Sequence, residues 1–443
     1  MKKTYLLLLL LLLPLFVQGQ IITTIAGGGT SNADGIPATN ANIGDPQAMV
    51  HDKFGNIYYT DALGHRIRKI STTGIFTTIA GNGSHGYGGD NGPATLALVN
   101  DPVGITIDNN ENIYFSDEGN HRIRRIDAVT HIITTIAGTG IGSFAGDGGP
   151  ASNAMLNYPS TVQYHNGELF IADGSNRRIR KIDKAGIITT IAGAGIDKTS
   201  GDGGPATNAE CRPGGDLAID IAGNVFFVDA GQMIRKIDTK GIITTIAGNP
   251  ASYAYNGDER PATSATLAAA VIAFNHSGEL FISGGINNRV RKIDNNGYIH
   301  TVAGNGTGGF SGDGSDATKA SIDGPCALLF DSCDNLLIAN VNGARIRKVA
   351  FNPLCWRLAV KEEAQAVSMR VYPIPAAEEL HVDNLISNTS YNIVSIAGQS
   401  VQQGHLHKGS NSVAISTLPP GMYLFITTDQ HTGQRQVKKI IKE

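Results

Sequence analysis

Ile21-Ile-Thr-Thr-Ile-Ala-Gly27 recurs as Ile75–Gly81, Ile132–Gly138, Ile187–Gly193, Ile242–Gly248 and, more loosely, Tyr298–Gly304. The fifth residues of the copies are Ile25, Ile79, Ile136, Ile191, Ile246 and Val302, so the steps are 54, 57, 55, 55 and 56 residues. A fixed period of this size, filled with short β-branched runs, means one supersecondary unit stacked on copies of itself. Residues that stand out because they repeat therefore need a packing explanation before a chemical one.

The second copy shows the unit most clearly. Pro102–Asp108 is a β-branched run closed by the polar turn Asn109–Asn112. Ile113–Asp117 forms a second run, ended by Glu118–His121. Arg122–Ile126 alternates charged and apolar residues, and Ile132–Ala137 is the fourth run. Four short antiparallel strands bounded by Gly, Asn and Asp predict a propeller blade. Second strands are expected at Ile57–Asp61, Leu169–Asp173, Val225–Asp229, Leu280–Gly284 and Leu336–Asn340. Third strands are expected at Arg66–Ile70, Arg178–Ile182, Met233–Ile237, Arg289–Ile293 and Arg345–Val349. The unit that begins at Pro325 lacks a fourth strand, and Ile21–Gly27 lacks the three before it. Ring closure by the N-terminal strand removes both open edges. The fold class expected is all-β: a six-bladed β-propeller of four-stranded blades, closed by its N-terminal strand and followed by a small β-sandwich.

Composition narrows the function classes. The 443 residues carry 35 basic and 38 acidic side chains, a net charge of -3, so no global field recruits nucleic acid or anionic lipid. The 55 glycines fall mostly at turns of the repeat. Lys2 and Lys3 precede the apolar run from Tyr5 to Val17, which is too short to span a bilayer and reads as a secretory signal cleaved at Gly19 and Gln20. The expected boundaries are a signal peptide at 1–19, the propeller at 20–350, a linker at 351–368 and the sandwich at 369–443. No transmembrane segment is expected. Four cysteines allow three pairings; Cys333–Cys355 or Cys326–Cys355 would staple the last repeat and leave Cys211 free.

Asp108…Glu111-Asn-Ile-Tyr-Phe-Ser-Asp117-Glu-Gly-Asn-His-Arg122-Ile-Arg resembles the NHL repeat, and the resemblance spans about residues 21–350. It implies a propeller and leaves function open, because NHL-type propellers include binding modules, sensors, an amidating lyase and relatives of lactonases. The C-terminal stretch resembles the type A sorting domain of the type IX secretion system of Bacteroidetes. Its opening motif stands as Tyr372-Pro373-Ile374-Pro375-Ala376, with Ile374 in the family's Asn position. Its later motifs stand as Gly398-Gln-Ser-Val401 and Leu418…Gly421-Met-Tyr423, followed by a basic tail with Lys438, Lys439 and Lys442. The resemblance implies the type IX secretion machinery as a partner and a secreted or cell-surface location.

Two repeated features are candidate ligand-binding residues. The long loops between units carry Asp90, Asp147, Asp202 and Asp313 in Asp-Gly turns, and looser copies hold Asp34 and Asp258. Sixfold copying and the Pro that follows argue for a structural turn; cation binding by these carboxylates is the alternative. Third strands carry Arg68, Arg124, Arg180, Arg235, Arg291 and Arg347, which pair with the Asp residues ending second strands or form a positive ring for an anionic glycan. His65 and His121 occupy matching turns. First-strand ends vary as Asp52, Asp108, His165, Asp220, His276 and Asp331, which permits a metal site without pointing to one. The fifth unit departs most from the pattern, with Ala270, Gly284 and Arg260.

The function read from these residues is a secreted or surface NHL-repeat scaffold for an extracellular glycan, peptide or protein. It carries no catalytic residues and no cofactor, beyond the alternative of a structural or channel cation. The competing reading is a metal-dependent, lactonase-like hydrolase or lyase with its site in the central channel. A purely structural surface-layer role is a third.

Overall fold

The computed structural model of the chain describes residues 20–351, 370–373, 375–385, 388–395, 400–429 and 435–443. The signal segment with Gly19, most of the 351–368 linker, Ile374 and Gly398 lie outside the described residues. The chain divides into two compact units, Met1–Pro353 and Leu354–Glu443. No helix among the described residues is long and apolar enough to cross a membrane.

The larger unit holds six antiparallel sheets, three of four strands and three in which a two-residue strand of the preceding loop adds a fifth. In the second sheet the strands are Pro102–Ile107, Ile113–Asp117, Arg122–Ile126 and Ile133–Ala137. The sixth is Pro325–Phe330, Leu336–Asn340 and Arg345–Ala350, completed by Ile21–Gly27, whose Ile21 faces Ala350. The outer strand is not a simple alternation. Its register slips at the second Ile of the motif, between Thr24 and Ala26 and between Thr135 and Ala137, and likewise in the other copies. Such a bulge turns Ala26 to the opposite face from Ile22, so that Ile22 packs in the core between the fifth and sixth sheets and Ala26 in the core between the sixth and the first.

Cores form between sheets, not within them. Ile67 and Ala80 of the first sheet pack with Ile105, Ile113 and Phe115 of the second. Ile123 and Ala137 of the second pack with Val162 and Ile171 of the third, and the pattern continues around. The last cluster joins Leu337, Ala339 and Ile346 of the sixth sheet to Met49, Tyr59 and Phe76 of the first. First strands touch in the same cyclic order, the sixth against the first.

The long loops run back along the outer edge of the sheet they introduce. Ile36–Pro37 pairs with Ile75–Ala80, and Pro93 pairs with Ile132, Pro150 with Ile187 and Pro205 with Ile242. They cover edges that would otherwise invite pairing with another chain. A 3-10 turn follows each loop, such as Ala94–Leu96 after Pro93, which accords with the helix-starting turn expected there. Cys333 is disulfide-bonded, whereas Cys211 and Cys326 are free; Cys355 lies outside the described residues.

The smaller unit has two sheets over one core. Arg370–Tyr372, Glu379–Leu385 and Gly409–Ala414 make one; Ser400–Leu406, Thr389–Ser395, Gly421–Asp429 and Arg435–Lys442 make the other. Leu380, Val382 and Val413 of the first meet Ile393, Phe425 and Ile440 of the second. Ala376 is buried, donating its amide to Ile441 O at 2.8 Å, and Tyr423 donates its hydroxyl to Pro419 O at 2.8 Å. The strand that begins at Gly409 ends at Ala414, and Leu418 beyond it turns its side chain into the core.

Candidate functional site: the central channel

The repeated Arg and Asp residues are packing elements. None of Arg68, Arg124, Arg180, Arg235, Arg291 and Arg347 is more than 4% exposed, so they form no positive surface ring. Arg124 is representative. Its Nη2 donates to Asp90 at 2.7 Å and to Gly88 O at 3.0 Å, and its Nη1 donates to Leu98 O at 2.7 Å and to Asp117 at 3.3 Å. Asp147 meets Arg180, Asp202 meets Arg235 and Asp258 meets Arg291 at 2.7, 2.7 and 3.1 Å, and Asp313 meets Arg347 at 2.6 Å. In the first sheet Arg68 lies 3.5 Å from both Asp34 and Asp61.

Burial works against ionisation of Asp90, Asp202 and Asp258. Hydrogen bonds from Thr135, Thr245 and Thr301 and the paired arginines outweigh it and hold each below the usual carboxylate range. A buried charge is retained only when paired and hydrogen-bonded. The loop carboxylates thus clamp the loop to its own sheet, and the cation-site expectation for them does not hold.

An aromatic residue three positions before the loop Asp completes the clamp, a signal in the sequence that the motif reading passed over. Tyr87 lies over Arg122 at 3.6 Å, Phe144 over Arg178 at 3.7 Å, Tyr255 over Arg289 at 4.0 Å and Phe310 over Arg345 at 4.1 Å. In the fourth unit both partners are missing together: Thr199 replaces the aromatic and Met233 the arginine.

The remaining candidates also hold turns. Asp52 accepts from the amides of Phe54 and Asn56, and Asp108, Asp220 and Asp331 do the same work in their sheets. The Nδ1 atoms of His65 and His121 accept the amides of Asp101 and Tyr158 in the next unit. These histidines do not converge.

First strands of all six sheets line a channel of about 780 Å³. One ring of the wall stands opposite the penultimate residue of each second strand: Ala48, Gly104, Thr161, Asp216, Val271 and Ala327. Five of these are small or uncharged; the fourth is a carboxylate. Leu217 N donates to Asp216 Oδ1 at 2.9 Å, and Ile272 N reaches Oδ2 at 3.4 Å. Asp216 keeps part of its surface open to the channel, and protein surrounds the rest. Burial pushes its carboxyl up to about 7, against the pull of hydrogen bonds from Leu217, Ile272 and Thr161, and no Arg or Lys neutralises it. Gly215 holds it in place: a Cβ there would lie 2.7 Å from Val228 Cβ and 3.1 Å from Ala270 O.

The charged departure on the channel wall therefore lies in the fourth sheet, while the fifth unit, which departs most in sequence, places no charge there. Ala269, not Ala270, takes the proline's place, pairing with Gly284 as Pro102 pairs with Asp117. Arg260 merely pairs the outer edge with Ile299.

Cys326 lines the channel, but its Sγ donates to Pro46 O at 2.7 Å and burial pushes the thiol pKa far above its ordinary value. Ser160 has no histidine beside it on the wall. Among the described residues no three His, Cys, Asp or Glu side chains converge as metal ligands, so the donor set does not fit a channel metal.

Residues 194–254, which include the fourth sheet, match the family described as the Teneurin NHL domain, and residues 370–443 match the secretion system C-terminal sorting domain. Human Teneurin-1 is 28% identical over 487 aligned positions, covering 94% of this chain but 17% of that protein. An auxiliary nutrient binding protein from Bacteroides thetaiotaomicron superposes with a TM-score of 0.57 at 15% identity, over 75% of this chain and 76% of its own. A structural genomics protein of unknown function from the same organism gives 0.56 at 19% identity, with the same coverages. The chain thus combines a match to the Teneurin NHL domain, within a propeller-like fold, with a C-terminal secretion-system sorting domain.

Proposed function

We propose that this chain is an exported, non-catalytic binding propeller. The six sheets are the six blades of one ring, closed by Ile21–Gly27, and residues 20–350 are the functional domain. Residues 369–443 are the address read by the type IX machinery after the 1–19 signal has been removed. The ligand is an extracellular molecule taken at the channel. One observation carries this reading: the repeated Asp, Arg and His side chains are consumed in holding loops and turns, which leaves a small-walled channel with no nucleophile–base pair and no ligand cluster. The nutrient-binding neighbour supports the fold alone.

Two measurements test it. In a host with that secretion system, the full chain should reach the medium or cell surface, and a chain ending at residue 369 should stay in the periplasm. Glycan, peptide and small-molecule arrays probed with the full chain should return a ligand whose binding is lost when Ala48→Phe narrows the channel. Turnover of an array compound would overturn the non-catalytic reading.

A further inference from the structure

Asp216 sits in a corner made of hydrogen-bond acceptors. The hydroxyls of Ser160 and Thr161 both donate toward Gly215 O, at 3.4 and 3.2 Å. A hydroxyl has one proton, so what these two groups can offer the channel is mainly lone pairs. Thr161 also reaches the Asp216 carboxyl, and its single proton is shared between the two acceptors. The carboxylate has about four acceptor sites, and protein fills them with one good amide bond, one long one and that shared hydroxyl.

The contrast with the other buried carboxylates is direct. Asp117, Asp173 and Asp229 are fully buried, whereas Asp216 keeps part of its surface open, and each of the three has an arginine 3.2 to 3.6 Å away. Asp216 has none, but it has the channel. The only other charged side chains on the wall, Arg177 and Arg212, are both tied to Asp197, at 3.3 and 2.6 Å. The rest of the wall is mostly aliphatic or small, with Ala48, Val50, Ala218 and Ala270, and its other polar side chains include the uncharged Gln47 and Gln163.

Given the binding reading above, on which this step rests, the geometry points to a site for an organic ammonium ion, its N–H groups on Asp216 and the Ser160 and Thr161 oxygens and its aliphatic body along the channel. An ammonium is a donor-only cation and complements an acceptor-only corner. A metal ion would need more ligands than one carboxylate supplies. The glycines at 214 and 215 replace the proline and side chain of other units, and they let the strand bring this carboxylate to the wall.

Titration calorimetry of the full chain at pH 8 tests this with n-hexylammonium chloride as probe, and with sodium hexanoate and hexanol as controls. Saturable binding of hexylammonium and none of hexanoate is expected. Asp216→Asn, which keeps the shape, should weaken binding about tenfold to a hundredfold, with an unfolding temperature no lower than that of the parent. Equal binding of the three probes, or hexylammonium binding unchanged in Asp216→Asn, overturns the assignment. If Ala48→Phe abolishes binding while Asp216→Asn does not, the channel binds and Asp216 is not its anchor. Absence of saturable hexylammonium binding also overturns the assignment, and the binding reading then stands or falls with the arrays.

Discussion

The second and fourth sheets differ in how they treat a buried carboxylate. In the second, Asp117 and Asp90 share Arg124, Tyr87 covers Arg122 and Arg124, and Gly104 leaves the channel wall bare. In the fourth, Arg235 still holds Asp229 and Asp202, but the aromatic cover is gone and the wall gains Asp216. The first pattern closes these charges on one another. The second leaves one charge unpaired and facing the channel. A repeat protein can be searched in this way for the residue that does not serve the repeat.

Removing the clamp should give the largest effect. Arg124→Met leaves Asp90 and Asp117 without their cation and should cost about 3–5 kcal/mol in urea unfolding, because a buried charge is stranded. A loss below 1 kcal/mol would mean that the clamp does not hold the blade.

Asp216 should act in the opposite sense. Its carboxyl in the folded chain is raised to about 7 from 3.8, so the folded state holds the proton more tightly than the unfolded chain. Stability from this group is fullest below pH about 4 and is lost as pH rises to 7 and beyond. Asp216→Asn should therefore stabilise the protein by about 2 kcal/mol at pH 8 and change little at pH 4. Equal effects at the two pH values would show that the carboxyl is not desolvated.

Smaller effects sharpen the same comparison. Tyr87→Leu removes the ring over Arg122 and a 3.0 Å hydrogen bond to Asp90, and should cost about 1 kcal/mol. Installing the missing pair in the fourth sheet, Thr199→Tyr with Met233→Arg, should gain about 0.5 kcal/mol in thermal unfolding. Neither single change should achieve this alone, since each partner needs the other.

Much of this fold was legible because the same local signals return every 54 to 57 residues. Second and third strands such as Ile113–Asp117 and Arg122–Ile126 lie where alternation and turn residues placed them. The pairing of Ile21–Gly27 with Arg345–Ala350 followed from the missing strand in the last unit. The clamps were half legible: Asp and Arg repeat visibly, but their meeting joins residues about 33 positions apart, and the sign of their role depends on burial. The Tyr87-to-Asp90 spacing was in plain view and had meaning only once Arg122 lay beneath the ring.

The sequence by itself determined the period, the strands, the turns and the C-terminal sorting motifs, because each rests on neighbours along the chain. Only the tertiary structure decided which residues face the channel. Gly214-Gly215-Asp216 reads locally as a turn, and Asp216 joins the ring with Ala48, Gly104, Thr161, Val271 and Ala327 only when six first strands meet side by side. Whether a carboxylate is paired, solvated or exposed to a cavity depends on groups that approach from other blades, and no local pattern encodes that approach.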